Sequence, residues 1–165
     1  MAKVQPLASA DKSLPHSLEA EKRVLGAMLR DTDALYRAHG ILGKAAFYQP
    51  GHQKIYEALI ELSSKGKAID LMILSDHLER KSELEQVGGA YYLMELANSV
   101  ATSVNIEYHA AIVRDKALRR KLIRQCSEIS QEAFDSGDDA TEILSRAESH
   151  ICNISQQRTD RAFES

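Results

Sequence analysis

At 165 residues, 44% of them hydrophobic, the chain can bury a real core, about 70% of the surface its unfolded form exposes, as one domain or a domain with an appendage. A net charge of −3 and an isoelectric point near 6.1 argue against a dedicated nucleic-acid binder, whose domain pI lies above about 9, and leave local patches as the only basic features. No apolar run could span a bilayer, no secretion signal is present, and Cys126 and Cys152 lack a Cys-x-x-Cys spacing, so the expectation is a soluble, cytoplasmic protein of a reducing compartment with no membrane partner.

Residues 1–14 are small and polar without pattern and are expected to form a disordered arm, with order beginning at Pro15. Ser17 is an expected N-cap, Glu19 and Glu21 suit the positive end of a helix dipole, and Leu18, Leu25, Met28 and Leu29 share a helical face. A second helix runs through Leu35, Ala38, Ile41 and Leu42. It is followed by Phe47-Tyr48-Gln49-Pro50-Gly51, whose aromatics are expected to plug the core. A third carries Ile55, Tyr56, Leu59 and Leu62 and stops at Gly66, a good left-handed cap. Asp70 caps a fourth with Leu71, Leu74 and Leu78 facing inward. Gly88-Gly89 breaks the chain before a fifth with Tyr92, Leu93, Leu96 and Ala97.

From about Ser103 the helices lengthen and their apolar residues narrow to a seam. Ile106, Ala110, Val113 and Ala117 lead into Leu118, Leu122, Cys126, Ile129 and Ala133. After a turn at Ser136-Gly137-Asp138-Asp139, Ala140, Leu144, Ala147, Ile151 and Ile154 repeat the spacing, which predicts an antiparallel helical hairpin. The predicted fold is therefore all-α: a compact bundle of about five helices over residues 15–102, a hairpin over 103–155, and the start of a linker over 156–165. A two-helix arm buries only one seam, so Leu122, Ile129, Leu144 and Ile151 are candidates for a dimer interface. The alternative is that the hairpin folds back on the first five helices.

Catalytic chemistry is absent from the residue pattern. Gly40-Ile41-Leu42-Gly43-Lys44 lacks the spacing and the hydroxyl of a phosphate-binding loop, so no nucleotide or other cofactor is expected on this chain. The six histidines include no pair at i, i+4, and His150, Cys152 and Cys126 supply at most three metal ligands, so no metal is expected either. No carboxylate pair sits in an apolar setting, and no serine has a nucleophile-elbow context.

One charge cluster stands out. Arg114, Lys116, Arg119, Arg120, Lys121 and Arg124 crowd the first arm of the hairpin with Asp115 as the only acid among them. They form either a docking surface for an acidic partner or nucleic-acid backbone, or a solvated face paired with Glu128, Glu132 and the acidic turn. No aromatics interleave, so base stacking on single strands would be missing and direct DNA binding is expected to be weak or nil.

The ordered set of segments resembles the N-terminal domain of bacterial replicative DNA helicases of the DnaB type. The residues that carry the likeness are Glu19-Ala20-Glu21, Leu25-Gly26-Ala27-Met28-Leu29, Phe47-Tyr48 with Pro50, and His52-Gln53-Lys54-Ile55-Tyr56. It continues through Gly88-Gly89-Ala90-Tyr91-Tyr92-Leu93, Asn105-Ile106-Glu107-Tyr108 and Val113 to Arg120, and covers roughly residues 15–154. Gly43-Lys44-Ala45-Ala46 departs from it, standing where an acidic residue commonly precedes the aromatic.

The resemblance implies a non-catalytic collar domain of a hexameric helicase, a trimer of hairpin-paired dimers that receives the helicase-binding domain of primase, with a replication initiator or loader as further partners. ATP and magnesium would belong to a motor domain beyond the linker. Arg119, Arg120 and Arg124 are the expected charged contacts to primase, with Phe134 as an apolar anchor. A free-standing helical adaptor or loader-like scaffold is the competing reading, and a small DNA-binding regulator a third.

Overall fold

The computed structural model describes residues 13–101 and 105–163. Among the described residues seven α-helices make up the fold: α1 (Leu18–Arg30), α2 (Thr32–Ile41), α3 (Pro50–Ser64), α4 (Leu71–Arg80), α5 (Gly89–Asn98), α6 (Ile106–Asp135) and α7 (Ala140–Phe163). Short 3-10 turns at Lys44–Ala46 and Glu85–Val87 complete it, and no strand occurs among the described residues. Five helices precede the long pair, so the all-α expectation holds. Residues 1–12 of the arm expected over 1–14, the change of character at Ser103 and the final residues 164–165 lie outside the described residues.

Local chemistry sets the helix ends. Ser17 Oγ accepts from the Ala20 amide at 3.2 Å, Asp70 from Ile73 at 2.8 Å and Asn105 from Tyr108 at 3.1 Å, each satisfying an amide that the first turn leaves unpaired. Gly66 follows α3 at φ +66°, the left-handed conformation that favours glycine. Gly26 serves a different purpose. A Cβ there would stand 2.3 Å from the Leu96 carbonyl oxygen, so the missing side chain is what lets α1 lie against α5.

The core packs Val24, Leu25 and Met28 of α1 against Leu35 of α2, Leu59 of α3 and Leu93 of α5, with Phe47 as the buried plug. Ile106, Ala110 and Val113 belong to this same core, because α6 begins by packing on α1 and α2. The N-terminal third of α6 is thus a sixth core helix, and the globular unit extends past the expected boundary at 102. The rest of α6 departs and returns as α7 after a turn at residues 136–139, giving the hairpin. Ile154 of α7 is buried near the end of α2, and α7 is helical through Phe163, across most of the segment expected to start a linker.

Candidate partner-docking surface

Beyond Ala117 the two arms bury little of each other. Leu122 is 38% exposed, Ile151 40%, Leu144 59% and Phe134, next to the turn, 79%. Ile129 is half-buried. A soluble surface rarely leaves a run of such side chains in water without a partner to cover them. The seam residues chosen from sequence are therefore on the hairpin, as expected, but they are not closed against each other within one chain.

Carboxylates hold the turn together. Arg146 of α7 donates to Glu132 at 3.4 Å and to Asp138 at 2.9 Å. That pairing raises the guanidinium pKa and, together with the Ser136 hydrogen bond, lowers that of Asp138. Ser136 Oγ accepts from the Asp138 amide at 3.1 Å, which fixes the turn geometry. Glu132 and Asp138, offered from sequence as partners of the basic cluster on α6, pair instead with Arg146 of α7.

The basic cluster divides into distinct roles. Arg119 is exposed and pairs with Asp115 at 2.8 Å, one helical turn earlier. Arg124 is exposed and has no ion-pair partner among the described residues, and Lys121 bonds the Gln157 amide oxygen across the hairpin. Arg120 corrects the sequence expectation of a surface contact. It is 4% exposed, and its guanidinium donates to the carbonyls of Pro15 and Ala46 at 2.8 Å each and lies 5.5 Å from the centre of the Tyr48 ring. The Tyr48 ring is also stacked on His16 at 4.2 Å. Arg120 ties the segment before α1 and the connection before α3 to α6, and desolvation lowers its pKa.

Two further buried polar residues were not singled out as such. Glu21 of α1 accepts from the backbone amides of Tyr48 at 2.9 Å and Gln49 at 3.4 Å, and from His52 Nδ1 at 3.2 Å. Gln49 is the N-cap of α3 and makes no side-chain cap bond, so a carboxylate from another helix does the capping. Nε2 of His52 meets the Tyr92 hydroxyl at 2.6 Å, and burial pushes that phenol's pKa up, keeping it a donor. The network joins α1, α3 and α5 and is closed, without the open position that chemistry on a substrate would need.

Cys126 and Cys152 are free and exposed, and no group of three metal-ligating side chains gathers among the described residues. No helix of the described residues is long and apolar enough to cross a membrane.

A family profile described as the DnaB-like helicase N terminal domain matches residues 13–115, the globular unit and the root of α6. The replicative DNA helicase DnaC of Bacillus subtilis is 40% identical over 154 residues, 93% of this chain and 34% of that protein. The replicative DNA helicase DnaB of Mycobacterium leprae is 34% identical over 99% of this chain and 27% of its own length. The crystal structure of the N-terminal domain of the Mycobacterium tuberculosis DnaB helicase superposes with a TM-score of 0.81 at 35% identity, covering 86% of this chain and 99% of that one. A DnaB-like replicative helicase, solved in a study of its interactions with primase, gives a TM-score of 0.70 at 26% identity over 84% of this chain and 31% of that one. The chain spans about a third of the length of the Bacillus subtilis relative and about a quarter of the Mycobacterium leprae one.

Proposed function

Because the chain belongs to the DnaB-like helicase N-terminal domain family, we propose that it is the non-catalytic collar of a hexameric replicative DNA helicase acting in the cytoplasm, and that its hairpin both assembles the collar and receives primase. One observation carries the reading: Leu122, Phe134, Leu144 and Ile151 are left uncovered on a projecting hairpin. In the hexamer, dimers paired through the hairpin would cover the seam and repeat as a trimer. ATP and magnesium would be handled by a separate motor domain. A replication initiator or loader would be a further client of the same collar.

Arg119 and Phe134 are the contacts we assign to the primase helicase-binding domain. An exposed charge acts mainly on association and an apolar anchor on dissociation. On a sensor surface carrying the cognate primase domain, Arg119→Glu should slow association in a salt-sensitive way, and Phe134→Ala should speed dissociation. Charged residues at Ile129 and Ile151 should shift sedimentation toward monomer while leaving the helicity of α1–α5 intact. Tight oligonucleotide binding without a primase signal would reject the docking mechanism.

A further inference from the structure

A hollow of about 570 Å³ lies where the connection after α2 meets α6 and α7, and a second of about 440 Å³ continues it, sharing Lys44 and Arg124. Its floor is apolar: Ile41, Leu42, Ala46, Leu118 and Ile154. Its rim is cationic: Lys44, paired with Glu57 at 2.7 Å, stands on one side and Arg114, Lys121 and Arg124 of α6 on the other. Among the described residues no carboxylate lines either hollow, although the whole chain carries a net charge of −3. The concentration of positive charge here is therefore local and not a property of the surface at large.

We propose that this groove binds an acidic, amphipathic segment of a partner protein, which lays an apolar side chain on the floor and presents carboxylates to Lys121 and Arg124. An apolar floor within a charged rim is the form of a helix-in-groove site. A nucleic-acid strand fits less well. It would need flat rings to stack on, and of the two aromatics lining the hollow Phe47 is buried and Tyr48 is already in contact with His16 and Arg120. The acidic turn of a second copy fits less well too, since Glu132 and Asp138 are already paired with Arg146. The groove adjoins the hairpin's seam, since its floor residues Leu118 and Ile154 continue the apolar series of Leu122 and Ile151. The primase assignment rests on Arg119 and Phe134, and Arg124, expected from sequence as a primase contact, is assigned here to the groove.

The test is fluorescence anisotropy with a labelled synthetic helix of about 14 residues, leucines at i, i+4 and i+7 and glutamates elsewhere. Saturable binding is expected, weakened about tenfold or more by Lys121→Glu with Arg124→Glu and little changed by Arg80→Glu on α4. A glutamate peptide without the leucines should bind more weakly than the amphipathic one. Circular dichroism of each variant establishes that it is folded. An absence of saturable binding, tighter binding of an oligothymidylate of equal charge, or equal affinity for the charge-reversed protein would overturn the proposal. Loss of self-association in the charge-reversed protein with peptide affinity unchanged would overturn it in favour of a contact between copies.

Discussion

Replacing Glu21 by alanine should destabilise this domain more than any change to an exposed carboxylate. The side chain is 2% exposed and its carboxylate serves two backbone amides at the start of α3 and one ring nitrogen of His52. Hydrogen bonds to a charged group contribute about 1.5–3 kcal/mol each, and a buried donor left without a partner costs about 1–3 kcal/mol. The 3.4 Å contact to Gln49 is long and contributes least, so the Tyr48 amide and His52 decide the total. We expect a loss of about 3–5 kcal/mol, since two buried donors lose their acceptor. Glu19→Ala is the control. Its exposed pair with Arg23 contributes no more than about 0.5 kcal/mol. Urea unfolding followed by circular dichroism measures both at matched protein concentration, with an unchanged slope confirming that the transition is comparable. A loss below about 1 kcal/mol for Glu21→Ala would refute the idea that this carboxylate caps α3.

Gly26→Ala should cost at least about 1–3 kcal/mol by the same assay, because the added methyl meets the Leu96 carbonyl oxygen and the Val100 side chain and α1 must move off α5. For pH, His109 is the group to watch. Burial foremost, then Arg23, depresses its pKa, so the folded state resists protonation more than the unfolded chain does. Stability is then greatest above the ordinary histidine value of about 6.5 and falls as the pH drops toward the lower folded value, a decline that His109→Gln should flatten in thermal melts. A melt profile identical in the two proteins between neutral and mildly acid pH would count against it.

The helices were legible because their apolar spacing and caps agree. Ser17, Asp70 and Gly66 do in the structure what their residue types predict. The buried charges were misread, although the signal was present. Glu21 follows Leu18 and precedes Leu25 at the spacing of one helical face. His52 does the same before Ile55, Tyr56 and Leu59, and Arg120 lies seven residues beyond Val113, itself seven beyond Ile106. A charged residue in phase with a buried stripe is a candidate for a satisfied interior group. Treating Arg120 as surface charge weighed its type over its phase. The groove was not legible at all, since Ile41, Lys44, Leu118 and Ile154 converge only when three distant segments meet. The root of α6 escaped for a related reason: a periodic seam says which face is apolar, not what covers it.

Because α6 is one unbroken helix from Ile106 to Asp135, its anchored root and its far end cannot move independently. From Val113 to the turn is about 33 Å of helix at 1.5 Å per residue, so a tilt of about 10° at the root displaces the far end by about 6 Å. Repacking too small to disturb the head would thus become a motion comparable to one turn of helix at the place where Phe134 stands. The helix works as a lever with its fulcrum in the core, and whatever grips the tip also senses the head.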